Sequence, residues 1–316
     1  MNVMTGNNID MLGKEVVFCA YIGDDRNSGA STEYIWIHYR FRWFDMVKFE
    51  NGLTDRKNNA SQIFQHHTPL CGVAAIMYFF IDDYNVLFYN TFMEFFKTGE
   101  GKINQYKLSP DKSLYDMKPL QNNKNYPRYT EDYYGNPLIY NDLMDHADWI
   151  TLAGTRSSEN KRYEGKDGEN WDGINWVEYM KKTIQQVYEI EEVIDATFYT
   201  QSVFRGKKFN VNTKVSFHKI QSLFDSGYHV ILMIDADMLD DIISTLGCIS
   251  NYHWIPFLGK LNIDEVNMQY FFKYYSWQKE YSRTFDASVI ESNFYGYIAF
   301  KKKTFLESAV GQHKNQ

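Results

Sequence analysis

Cysteine is scarce in this sequence: Cys19, Cys71 and Cys248 are the three in 316 residues. So odd and sparse a set argues against a disulfide framework and fits folding in a reducing compartment. No run of about 18 apolar residues occurs, so no membrane span is expected. The opening residues Met1 to Asn8 carry neither a basic segment nor an apolar core, so no Sec-type signal peptide is expected. The chain reads as one made in the cytoplasm, with any export left to a specialised secretion system. Positive charge is not in excess either. Lys plus Arg number 33 against 40 Asp plus Glu, a net charge of −7, which argues against nucleic acid as a partner. No Cys/His spacing suits zinc, and no cofactor is expected. No internal repeat is present.

Apolar and aromatic side chains are plentiful, at 44% and 17% of residues. A disordered chain would lack them, and the length suits one large domain or two that share an interface. Lys14 to Ile22 reads as a strand. The alternation Ile35, Ile37, Tyr39, Phe41, Trp43 within Glu33 to Phe44 reads as a half-buried strand hairpinned with it. Arg40 and Arg42 fall on the solvated face, and Cys19 in the core. Residues 51–64 read as loop. An apolar helix from Cys71 ends near Asp82 or Asp83, and Phe88 to Phe96 forms a second helix closed by Thr98-Gly99. Residues 100–140 lack periodicity and read as a long covering insertion.

Helices are expected at Asn141 to Ala153, at Asn175 to Tyr188 and at Ser216 to Phe224, the last closed by Ser226-Gly227. Residues 154–172 read as loop. His229 to Ile234 is a continuous apolar run, as a central strand requires. Asp237 caps a short helix from Met238 to Leu246, and strands follow at His253 to Leu258, Met268 to Tyr275 and Phe294 to Lys301. Helices first and antiparallel strands later make the class α+β. The division expected is an N-terminal β-hairpin region over 1–50, packed on a domain over 51–310 with an insertion at about 100–170.

The stretch from Gln65 to Phe80 organises the rest. A polar loop ends at Pro69, then Cys71-Gly72 opens a strongly apolar helical run. A helix N-terminus stabilises a thiolate, and small Gly72, Ala74 and Ala75 allow close packing on a facing sheet. A nucleophilic thiol needs a base and an oxyanion donor. His253, opening an apolar strand, is the candidate base, and the side-chain amide of Gln65 the candidate donor. A hairpin turn over Lys260 to Glu265 would pair residues whose numbers sum to about 528. That sets His253 opposite Tyr275, or one step away opposite Ser276, and either hydroxyl could orient the imidazole. His66 and His67 are adjacent and read as loop polar residues.

Gln65, Cys71-Gly72 ahead of a buried helix, His253 on a distant strand and the segment Tyr275-Ser276-Trp277 together resemble the papain-like cysteine peptidase superfamily. Tyr275 stands where the family's Asn-Ser-Trp segment has Asn. The resemblance implies a papain-like fold, with the Cys71 helix packed on an antiparallel sheet that carries His253. It also implies amide hydrolysis through a thioester, with Trp277 shielding the pair from water. The substrate class stays open among protein peptide bonds, peptidoglycan cross-bridges and glutamine side chains. Lys97 to Glu100, Ala147 to Ile150, Arg156 to Asn160 and His253-Trp254 resemble cysteine-peptidase-like domains of bacterial secreted effectors and polymorphic toxins, which implies a cognate immunity protein as a partner. The alternatives are a catalytically silent interaction module of the same fold and a metal-dependent glycosyltransferase built on Asp235-Ala236-Asp237, whose clustered oxygens suit a hard cation.

Overall fold

The computed structural model describes residues 11–20, 31–66, 68–117, 144–165, 170–198, 213–243 and 252–302. Cys248, Asn141 and His67 lie outside the described residues. The architecture is mixed α+β with antiparallel sheets. An N-terminal hairpin joins β1 (Lys14–Ala20) and β2 (Ser31–Ile37), as its alternation implied. It is not half-buried, however. Tyr34 and Trp36 are more than half exposed, and Cys19 is an exposed thiol, not a core one. The strand stops at Ile37, because the next backbone partners of the chain are the carbonyls of Lys97 and Phe96, taken by Arg40 and Phe41.

Residues 46–58 are helical, contrary to the loop expected over 51–64. Asp45 caps α1 (Met46–Asn58) by accepting from the N–H groups of Val47 and Lys48, and that cap had gone unread. One helix, α2 (Cys71–Thr98), replaces the two expected. It bends at Tyr84, whose φ of −141° is non-helical, so the expected break survives as a kink. Gly99 ends α2 in the left-handed conformation (φ 80°), as expected. Among the described helices α2 is long and apolar enough to cross a membrane, but 67% of its apolar window is buried within this fold.

The covering insertion begins with a small hairpin, β3 (Gly101–Ile103) and β4 (Tyr106–Leu108). Next, α3 (His146–Glu159) is capped by Asp145 and runs on through residues expected to be loop. After it come a single turn, α4 (Asn170–Gly173), then α5 (Val177–Tyr188) and the short β5 (Ile194–Asp195).

The main sheet is antiparallel, in the order β10-β9-β7-β6-β11-β5 with β8 paired to β9. Its strands are β6 (His229–Asp235), β7 (Tyr252–Phe257), β8 (Asn262–Asp264), β9 (Gln269–Ser276), β10 (Lys279–Asp286) and β11 (Phe294–Phe300). Between β5 and β6 lies α6 (Thr213–Asp225), which starts three residues before Ser216. Between β10 and β11 lies α7 (Ala287–Asn293). Asp235, not Asp237, caps the turn that follows β6, a 3-10 helix over Ala236–Asp240.

Alternation along the strands divides two cores. Ile231, Met233, Trp254 and Tyr275 face α1, α2, α3 and α5. Val230, Leu232, Ile255, Phe257 and Tyr274 face Phe217, Ile220 and Leu223 of α6.

Candidate active site

The start of α2 is held from three sides. Gly72 faces Asn175 and Met180 so closely that a Cβ there would lie 2.6 Å from Asn175 Cβ and 2.6 Å from Met180 Sδ. Pro69 fills the space beside Gly173. Trp254 on β7 donates its indole N–H to the carbonyl of Asn175 at 3.0 Å. The helix that begins with Cys71 is thereby pressed against the start of β7.

Strand geometry shows how the sulfur meets that strand. The N–H of Leu258 bonds the carbonyl of Lys273 on the β9 side. Residues two and four before Leu258 share its direction, so the N–H of Trp254 also turns toward β9. Yet β7 pairs with β9 only at Phe257–Tyr274, so β9 has left a notch beside Trp254. The Cys71 sulfur enters this notch, within hydrogen-bonding reach of the Trp254 N–H. Burial pushes the thiol up to about 11, against the opposing pull of the N–H groups of Trp254, Gly72 and Cys71 itself.

His253 precedes Trp254, so its side chain leaves β7 on the opposite face, the face of Ile255 and Phe257. Its Nε2 lies 2.9 Å from Ser276 Oγ, a buried hydrogen bond. The imidazole, rooted on β7 and anchored on β9, therefore lies on the α6 side of the sheet, whereas Cys71 comes with α2 on the other side. Trp277 stacks on it at 4.9 Å with planes 19° apart. Burial pulls the imidazole down to about 4. No hydrogen bond joins the Cys71 sulfur and the imidazole, and neither group acts on the other's titration.

Tyr275 is not an orienting partner. The turn lies further along the chain than expected, β8 pairing with β9 as Asp264–Gln269, and Phe257 opposes Tyr274. The Tyr275 ring instead stacks on Tyr78 of α2 at 4.5 Å, and its hydroxyl donates to the carbonyl of Ile63. Gln65 is buried, but its Nε2 donates to the Thr68 carbonyl at 3.0 Å while Thr68 Oγ1 returns a bond to the Gln65 carbonyl.

A buried ion pair beneath this loop was not read from the sequence. Arg56 gives Nε and Nη2 to the two carboxylate oxygens of Asp148, at 2.9 and 2.6 Å. Burial works to lower the guanidinium, but the charge and hydrogen bonds of Asp148, with the charges of Asp145 and Asp55, together hold Arg56 above its ordinary value. Asp148 also takes the backbone N–H of Phe64, the residue before Gln65. Ninety-two positions separate the pair, so no local pattern marks it.

Asp235 of the rival Asp-x-Asp is buried, caps the following turn and lies 3.1 Å from the Tyr295 hydroxyl. Among the described residues no cluster of three His, Cys, Asp or Glu side chains is placed to hold a metal ion.

Comparison with protein-family models, with curated proteins and with solved structures finds no match to this chain.

Proposed function

We propose that this chain is a thiol-dependent amide hydrolase of papain-like design, with Cys71 as nucleophile, His253 as general base and Ser276 as the group that orients the imidazole. What supports the reading is that Cys71 opens α2 within reach of the N–H of Trp254, the residue after His253, and that His253 is hydrogen-bonded to Ser276 under the cover of Trp277. In this reaction His253 takes the thiol proton, the sulfur attacks an amide carbonyl, and the imidazolium returns the proton to the leaving amine. Water then cleaves the thioester. Gln65 would serve the oxyanion once its amide turns from Thr68 toward the sulfur.

The described arrangement is a resting one. Moving a proton from a thiol near 11 to an imidazole near 4 is uphill by on the order of 9 kcal/mol. Water has to reach both groups, and the imidazole has to come round to the sulfur's side of β7, before the ion pair forms. The same burial favours a second reading, a catalytically silent module that keeps the constellation as a structural core and uses its surface to bind a partner.

Site-resolved labelling with an epoxide electrophile separates the two. An active pair labels Cys71 faster than the exposed Cys19, and His253→Ala abolishes the difference. Labelling confined to Cys19 in the wild-type protein would defeat the hydrolase. The effector resemblance adds a cellular test: expression of the chain should inhibit growth, and Cys71→Ala should relieve it.

A further inference from the structure

The main sheet ends on one side in β5, two residues long, and on the other in β10, eight residues long. Strand β10 pairs with β9 over its whole length without a shift in register, and it holds no Pro or Gly. An edge that is long, regular and free of such breakers is a template for another strand. We propose that β10 pairs with β10 of a second copy of this chain, antiparallel about a two-fold axis at Ser282, so that the two main sheets become one. The pairing stands apart from the hydrolase reading.

The direction of the backbone groups follows from both strands. Trp277-Gln278 is a two-residue turn, which leaves Ser276 and Lys279 exchanging both of their backbone bonds. By alternation Tyr281, Arg283 and Phe285 also bond β9, and Glu280, Ser282 and Thr284 turn their N–H and C=O groups outward. The other strand agrees: Lys273, opposite Ser282, donates its N–H to Gly259 and accepts from Leu258, on the side away from β10. Among the described residues no backbone group bonds the outward groups of Glu280, Ser282 and Thr284, and all three residues are exposed. The charged side chains nearby are tied to their own chain. Glu280 is held by Tyr78 and Lys273, and Arg283 by the Leu239 carbonyl and Asp241.

Charge then selects the register. Two copies related by a two-fold axis oppose residues whose numbers sum to an even value, and outward groups meet outward groups in each such register. An axis at Glu280 sets that carboxylate against its own copy. An axis at Tyr281 sets Lys279 against Arg283, and one at Arg283 sets Glu280 against Asp286. Like charges directly opposite destabilise a ladder. The axis at Ser282 opposes no like charges: Glu280 meets Thr284, and Tyr281 meets Arg283 as a cross-strand pair of ring and cation. It also spans the strand from Lys279 to Phe285, whereas an axis at Thr284 runs the pair into the first turn of α7. After Asp241 come Ile242 and Ile243, 52% and 50% exposed, which places apolar surface near the same edge for a second copy to cover.

Analytical ultracentrifugation of the intact protein tests the proposal, run in a thiol reductant so that the exposed Cys19 does not cross-link. A reversible dimer is expected, with amide exchange at Ser282 and Thr284 slower in concentrated than in dilute solution. Ser282→Lys sets two ammonium groups against each other at the axis and should raise the dissociation constant at least about tenfold. Ser282→Pro removes an N–H that β9 does not use, so the chain should stay folded by circular dichroism yet fail to pair. Ser282→Ala should keep the dimer. A monomer at every concentration up to about 100 µM overturns the proposal, as does a dimer that Ser282→Lys and Ser282→Pro both leave intact. A monomer whose Ser282 amide is protected only by added hexathreonine also overturns it, and gives the edge to an extended peptide instead.

Discussion

At the scale of single residues, the site is defined by what burial does to two titratable groups. The His253 imidazole is held neutral down to about pH 4, whereas in the unfolded chain it takes up a proton near 6.5. Between those values the unfolded state binds more protons, so stability falls as pH drops from about 6.5 toward 4 and is complete above 6.5. The full effect is on the order of 3 kcal/mol. Denaturant unfolding across this range should show the slope, and His253→Gln should flatten it. Cys71 works in the opposite sense at the other end. Its folded thiol keeps its proton up to about 11, so stability falls as pH rises through the ordinary thiol range toward that value, and Cys71→Ser should remove that loss. Ser276→Ala leaves the buried Nε2 of His253 without its partner and should cost about 1–3 kcal/mol. The places of Cys71 at the head of α2 and of His253 near the start of β7 were legible because each opens an apolar run. Ser276 was legible only as one of two hydroxyls. The choice between them depends on how far the turn lies along the chain, and Glu265 to Met268 carries no Gly or Pro to mark it.

At the scale of elements, α1 and α3 are riveted through Arg56 and Asp148, and the rivet reaches the Gln65 loop through the N–H of Phe64. Removing one charge strands the other. Asp148→Ala should therefore cost about 3–5 kcal/mol, whereas the double replacement Arg56→Met with Asp148→Leu should lose far less; chemical denaturation of the three variants checks this. Gly72→Ala drives a methyl group into Asn175 and Met180, and should destabilise by about 1–3 kcal/mol while slowing labelling of Cys71. The hairpin between β9 and β10 escaped the sequence for a physical reason. Its two-residue turn, Trp277-Gln278, has φ values of 44° and 63°. Asn-Gly is the usual signal for such a turn, and neither residue here is of that kind. Holding a bulky side chain at positive φ costs roughly 1–2 kcal/mol. Strain kept at that position goes with the indole being laid over His253. Trp277→Gly should relieve the turn yet expose the imidazole, moving its titration up toward 6.5, as NMR of the ring protons would report.

At the scale of the whole molecule, the sheet separates two cores, and the site is drawn from both. The Cys71 sulfur comes with the helical layer and reaches the Trp254 N–H, whereas the imidazole leaves β7 on the α6 face and reaches Ser276. The α+β class and the central place of β6 followed from the order of elements and the apolar run. The notch did not, because it arises where β7 and β9 stop pairing, a long-range event that no local pattern encodes. Consecutive residues of β9 serve the two sides: the Tyr275 phenol grips the Ile63 carbonyl below, and the Ser276 hydroxyl grips the imidazole above. Such a strand behaves like a key with teeth on both edges. Sliding it by one position would present each tooth to the wrong ward, so the two contacts together lock the register of β9 along its own axis.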